Sequence, residues 1–175
     1  CIFCDLLRDE LADGRRIVAE NALFVAFIPF FARYPYEVHV MPRQHLTCLP
    51  ELDPSQRVAF AEILKAVTTG YDKLFGFSFP YVMIIHQAPT DGEGHGHYHF
   101  HVEFYPPHRT ADKIKHLAGC ESGAGTFIND TLPEHTAAQI REAVKQLIAE
   151  ECTSDCALHM RSCQGTGGEP DIRRS

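Results

Sequence analysis

No apolar stretch in this 175-residue chain approaches the length of a membrane helix, so no membrane partner is expected. The N-terminus carries no secretory signal. The chain also lacks the excess of Lys and Arg that a phosphate backbone demands. Sixteen basic residues against 23 acidic ones leave a net charge of −7, which argues against nucleic acid as a partner and for a small ligand whose anionic group is met locally. An initiator Met is missing, and Cys1 stands in its place, so the chain is expected to begin inside something longer or to have been trimmed. There is no internal repeat and no Walker or dinucleotide fingerprint. The glycine-rich stretch Gly119–Asn129 has the wrong spacing for either and reads, taken alone, as a plain flexible loop beside Lys115.

What remains is length enough for one domain with a real core. Residues 1–151 carry the patterning of that domain. From about 152 to 175 the periodicity dissolves into Cys, Gly, Ser and Arg, and a disordered or non-native tail is expected. The seven cysteines are an odd number in a chain larger than most disulfide-stapled miniproteins, so cytosolic thiols and a metal site are expected, and with them a cytoplasmic location.

A short helix over residues 4–12 stops at Asp13-Gly14. β-like runs follow at Arg16–Glu20, Leu23–Ile28 and Tyr36–Met41. A long helix opens with Asp53 as N-cap, Pro54 at N1 and Gln56 at N3, and keeps helical spacing from Phe60 to Phe75 before Gly76. Strands at Tyr81–Ile85 and 97–105 come next. A second helix starts at Thr131, whose capping box Glu134 completes, with Ile140, Ala143, Val144, Leu147 and Ile148 as its apolar stripe. This order predicts an α+β fold: a mostly antiparallel sheet with flanking helices on one side.

The chemistry concentrates in His95-Gly-His97-Tyr-His99-Phe-His101-Val-Glu103. On a strand, alternate residues share a face, so the ligating groups lie on one side and Tyr98, Phe100, Val102 and Phe104 on the other. Alternate residues are about 6.6 Å apart, so His97 and Glu103, roughly 20 Å apart, cannot share a metal. Two sites follow. Cys1, Cys4, His45 and His97 form a candidate zinc set of two thiolates and two imidazoles, the bland alternative being ordinary thiols near a chain end. His86, His101 and Glu103 form a candidate set for zinc, iron or another divalent metal, against a hydrogen-bonded polar patch. His39, His108, His116, His135 and His159 read as surface residues without a role.

The run His97-Tyr-His99-Phe-His101-Val-Glu103, with the Cys-x-x-Cys, resembles the histidine-triad superfamily. Glu10-Leu-Ala-Asp-Gly-Arg15, Tyr34-Pro-Tyr-Glu37, Tyr71-Asp-Lys-Leu-Phe75, Phe79-Pro-Tyr81, His86-Gln-Ala-Pro89 and Phe104-Tyr-Pro-Pro107 resemble, in order, the C-terminal half of the galactose-1-phosphate uridylyltransferase family. The resemblance implies a histidine-triad-like half-barrel and a role in galactose metabolism: transfer of UMP from a UDP-hexose to a hexose 1-phosphate. The intermediate it implies is a uridylyl-histidine formed on a His-Pro-His-Gly-Gln motif that this chain lacks. By resemblance, this half carries the zinc set and an iron or second zinc at His86, His101 and Glu103, a position where some relatives have a second His. Lys115 and Glu121 match positions that contact the nucleotide sugar from the partner subunit, which implies a homodimer. The partners implied are a UDP-hexose, a hexose 1-phosphate and the N-terminal half. Two other readings stay open: a free-standing histidine-triad hydrolase or transferase with His99 as nucleophile, and a zinc-stabilised nucleotide-binding module without catalysis.

Overall fold

The central strands of the sheet alternate between two buried faces, and this places the functional residues. In the computed structural model, residues 1–163 are described. Five antiparallel strands, β1 (Ile17–Glu20), β2 (Phe24–Phe27), β3 (Val38–Pro42), β4 (Val82–His86) and β5 (His101–Tyr105), pair in the order β1-β2-β3-β5-β4. Phe24, Ala26, Val38, Val40, Val102 and Phe104 point to one face. There they pack against Ile63, Val67 and Tyr71 of α2 (Pro54–Phe75) and Ile140 and Val144 of α4 (Pro133–Cys163). Full burial of a side chain such as Phe24 or Phe104 stabilises by about 1.5–3 kcal/mol.

The other face of the sheet belongs to α1 (Ile2–Asp13). Leu7, with Phe3, Leu6 and Leu11, packs on Val25, Phe27 and Met41, so the helices flank the sheet on both sides rather than one. His39, His101 and Glu103 lie in register with these residues and share their face. α1 ends at Gly14, which takes a left-handed φ of 71° and donates its N–H to Glu10 O at 2.8 Å, the stop expected of Asp13-Gly14.

The α2 capping box forms as expected: Asp53 accepts from Gln56 N at 2.8 Å, and Gln56 Oε1 accepts from Asp53 N at 2.9 Å. The box expected at Thr131 does not form. Glu134 is drawn 2.7 Å from Arg16 Nη1, and Thr131 Oγ1 donates to Asn129 instead. A buried guanidinium outcompetes a backbone amide for that carboxylate.

The glycine-rich stretch, expected as loop, begins with a short helix, α3 (Gly119–Ala124), after a two-stranded ribbon of β6 (His108–Thr110) and β7 (Lys113–Ile114). α4 carries helical backbone past residue 152, where the tail is expected to begin; residues 164–175 and the side chain of Ile148 lie outside what is described. β4 is an edge strand whose Val82, Met83, Ile84 and Ile85 remain 39–58% exposed, an apolar edge open for pairing.

Candidate metal centres and the adjoining pocket

Two groups of metal-ligating atoms stand side by side beneath α1. The first joins three distant segments. Cys1 precedes α1 and Cys4 lies in its first turn, three residues on, so both reach one side of the helix start. His45 follows β3, and His99 sits just before β5. Their ligand atoms lie within 4.8 Å of one another, with Cys4 Sγ 3.1 Å from His45 Nδ1 and 3.4 Å from His99 Nδ1. Donors around a tetrahedral zinc are separated by about 3.3–3.8 Å, given its bond lengths to sulfur and nitrogen. His99 Nε2 lies 3.2 Å from the carbonyl of Pro42; a proton there leaves the Nδ1 lone pair aimed at the thiols. The S₂N₂ donor set and this tautomer fit zinc.

His97, expected in this group, is not part of it. The regular strand starts only at His101, and residues 96–97 form a turn in which Tyr98 N–H bonds to His95 O at 2.8 Å. His97 is exposed there, its ring centroid 6.0 Å from that of His95. The chain is pinned further on, where Phe100 N donates to Leu46 O at 2.7 Å, and this sets His99 opposite His45. The register slips by two residues, so His99 takes the place expected of His97.

The second group gathers the three residues expected of it. β4 pairs with β5 so that His86 faces His101 and Ile84 faces Glu103. The two imidazoles stack at 4.7 Å, His101 Nε2 lies 3.3 Å from Glu103 Oε1, and His86 Nε2 lies 3.2 Å from Glu103 Oε2. Buried His86 Nε2 makes no hydrogen bond, and His101 Nδ1 is 2.7 Å from His99 O, a bond that turns its Nε2 lone pair inward. An unpartnered buried nitrogen beside a carboxylate and a second imidazole fits a divalent cation of the N/O-ligand class. Burial works against ionisation of Glu103, but the imidazole of His101, the nearby His39 and a hydrogen bond from Tyr105 hold its carboxyl at about 2. Burial, then the hydrogen bond to Glu103, raises the Tyr105 hydroxyl.

His39, assigned to the surface from sequence, is only 2% exposed. It pairs with Glu103 across β3 and β5 and bonds to Glu37, itself buried. The signal was present in the sequence: His39 alternates with Val38 and Val40, so it must face opposite to them.

A cavity of about 540 Å³ opens over the second group, its wall including Arg33, Tyr34, His86, Tyr98, Glu103 and Phe127. Arg33 lies over the Phe127 ring at 5.0 Å. His99, the alternative nucleophile, does not line this cavity: it is 1% exposed, with its nitrogens 3.4 Å from Cys4 Sγ and 3.2 Å from Pro42 O. Burial also lowers its basicity.

A family profile described as "Galactose-1-phosphate uridyl transferase, C-terminal domain" matches residues 1–153. The chain belongs to the galactose-1-phosphate uridylyltransferase family. It is 46% identical over 143 residues to a galactose-1-phosphate uridylyltransferase of Thermotoga maritima, an alignment covering 81% of this chain and 44% of that protein. A solved structure of a uridylyltransferase mutant superimposes with a TM-score of 0.77 at 38% identity, over 84% of this chain and 48% of that one. A Zn-bound histidine triad family protein from Mycobacterium smegmatis, 17% identical, shares the fold with a TM-score of 0.58 over 86% of this chain and 96% of that one. The chain thus spans less than half the length of the uridylyltransferases it matches, and its α+β sheet is of the histidine-triad type.

Within this uridylyltransferase domain, Lys115 and Glu121 are brought together, but they face each other. Lys115 Nζ lies 2.7 Å from Glu121 Oε1 and donates to the carbonyls of Arg33 and Ile128, with both side chains almost buried. Glu121 also accepts from Ala118 N and Ile128 N; the Lys115 hydrogen bond, followed by these amides, holds its carboxyl at about 2. The pair borders a cavity of about 190 Å³ with Arg109, His116 and Asp130. Among the described residues no helix is long and apolar enough to cross a membrane.

Proposed function

We propose that this chain is the C-terminal half of a UDP-glucose–hexose-1-phosphate uridylyltransferase and works only with its N-terminal half. The reading is carried by one contrast: the family match runs from residue 1 to 153, yet the histidine at the centre of the run is walled in by a thiol and a carbonyl. In the proposed reaction, a histidine of the other half attacks the α-phosphorus of UDP-glucose and expels glucose 1-phosphate. Galactose 1-phosphate then attacks the same phosphorus, the N–P bond breaks, and UDP-galactose leaves. Neutral imidazole suits this role near pH 7.

This chain's own residues build and orient. Cys1, Cys4, His45 and His99 would hold a structural zinc that ties α1 to the sheet. His86, His101 and Glu103 would hold iron or a second zinc, to which the other half adds a ligand. The apolar β4 edge is the surface on which that half docks, since an open edge with exposed Val82 and Met83 is costly to leave in water. Lys115 and Glu121 reach the nucleotide sugar of a partner subunit in a homodimer, held by each other in the single chain. Free Cys1, Cys4, Cys48 and Cys120 suit the reducing cytoplasm.

The test is reconstitution. Chain and N-terminal half expressed together should convert UDP-glucose and galactose 1-phosphate to glucose 1-phosphate and UDP-galactose, while the chain alone should not. UMP transfer or nucleotide hydrolysis by the chain alone, abolished by His99→Ala, would overturn the reading.

A further inference from the structure

Beneath the second metal group lies a buried pair to which the family reading gives no task. Glu37 is 1% exposed and held at both oxygens. Its Oε2 accepts the backbone N–H of Arg33 at 2.7 Å and of Tyr34 at 3.1 Å, the two residues that bring their side chains to the cavity wall. Its Oε1 lies 2.9 Å from His39 Nε2. That same nitrogen is 3.7 Å from Glu103 Oε1. Two carboxylate oxygens therefore face one imidazole nitrogen, and only an N–H there is compatible with both. His39 Nδ1 is buried without a partner, which a lone pair tolerates better than a proton does. Phe27 and Phe31 lie beside the ring, each with its centroid 6.0 Å away, and the His101 ring is 6.3 Å away at 28° to it.

We propose that Glu37 and His39 are positioning residues for the second metal group: the Nε2–H of His39, bonded to Glu37, presents its positive end to Glu103 Oε1 at 3.7 Å and so steers that carboxylate electrostatically between His86 and His101. Through Glu37 the same contact ties that carboxylate to the Arg33–Tyr34 wall of the cavity. His39 stays outside the ligand set, since its atoms do not fall within the 4.8 Å group that His86, His101 and Glu103 form. The pair differs from ordinary buried polar packing in what it demands: a donor at one point in space, not an imidazole as such. Glutamine can place its amide nitrogen where His39 Nε2 sits. Leucine fills similar volume and offers nothing.

This inference rests on the second metal group of the proposed function, and its test does not use activity. The chelator-stripped chain is titrated with Co²⁺, read by the weak d–d bands of the N/O group. The thiolate charge-transfer band of the Cys1/Cys4 group serves as an internal control for folding. His39→Leu should weaken Co²⁺ binding at the second group by roughly 10–100-fold, the usual effect of losing a residue that orients a metal ligand. His39→Gln should restore it, and the thiolate band should hold in both. The inference is overturned if His39→Leu binds as the wild type does. It is also overturned if leucine and glutamine weaken binding equally, or if the leucine variant loses both bands and glutamine does not restore them. Absence of second-group binding in the wild-type chain overturns it too, and leaves UMP transfer by the two halves to be judged by its own assay.

Discussion

Replacing Arg16 with methionine should expose how the non-sheet elements are tied together. Arg16 Nε lies 2.8 Å from Glu10 Oε2 at the end of α1, and Nη1 lies 2.7 Å from Glu134 Oε1 at the start of α4 and 3.2 Å from Asp13 Oδ2. Glu134 and Asp13 can turn to water. Glu10, 1% exposed with Oε1 already unpartnered, cannot. Removing the cation from such a pair typically costs about 3–5 kcal/mol. Protonation of Glu10 sets a ceiling: at pH 7.5, three pH units above its ordinary 4.5, neutralising it costs about 4 kcal/mol at 1.36 kcal/mol per unit. At pH 5 that ceiling falls to about 0.7 kcal/mol, leaving about 1 kcal/mol for the lost hydrogen bond.

The sign follows from the wild type. Burial already raises the Glu10 pKa, with Arg16 pulling it down, so the contribution of this group is full below about 4.5 and is lost as pH rises through the folded-state value. Without Arg16 that value climbs further, and the loss deepens toward neutral pH. Urea unfolding followed by far-UV circular dichroism, suitable for a chain without tryptophan, should give a difference from wild type of about 4 kcal/mol at pH 7.5 and under about 2 kcal/mol at pH 5. A difference below about 1 kcal/mol at pH 7.5, or the same difference at both pH values, would refute the reasoning.

Cys4→Ser should remove one zinc per chain by elemental analysis, and should forfeit about 4 kcal/mol of stability where free zinc exceeds the wild-type Kd a thousandfold. Zinc retained at wild-type stoichiometry counts against the Cys1/Cys4 assignment. Lys115→Met should lift the titration midpoint of Glu121 from about 2 toward its ordinary 4.5, since the Lys115 hydrogen bond is the largest cause of the depression. In the wild type this group's contribution is present above 4.5 and lost as pH falls toward about 2; carboxyl NMR reads the midpoint, and an unmoved value would contradict the pairing. Gly70→Ala would place a Cβ 2.7 Å from Val144 Cγ2 where α2 crosses α4, so overpacking of about 1–3 kcal/mol should outweigh the helix-propensity gain of alanine. Adding Val144→Ala should relieve the clash, and a melting temperature raised by Gly70→Ala alone would show that the helices part easily.

Much of this architecture was legible because local rules agreed with tertiary packing. The Asp53–Gln56 box, the Gly14 stop and the strand alternation of Val38 to Met41 appear where pattern placed them. His86, His101 and Glu103 converge because the end of β4 pairs with the start of β5 in one register. His97 and His99 were harder, since alternation puts both on one face and cannot say where the regular strand begins. That choice is made by Phe100 N reaching Leu46 O, a bond across 54 positions of chain. His39 needed the β3–β5 pairing before its face meant burial beside Glu103. The Thr131–Glu134 box failed for a similar reason, because Arg16 competes for Glu134 from another element.

On the proposed function, the histidines of this half build metal centres while the covalent step belongs to the other half. Intact-mass spectrometry of both polypeptides, quenched after mixing with UDP-glucose alone, tests it most directly. The mass of one uridylyl group is expected on the N-terminal half and none on this chain, with the adduct discharged on adding galactose 1-phosphate. A uridylyl group mapped to His99 or His101 of this chain would contradict it.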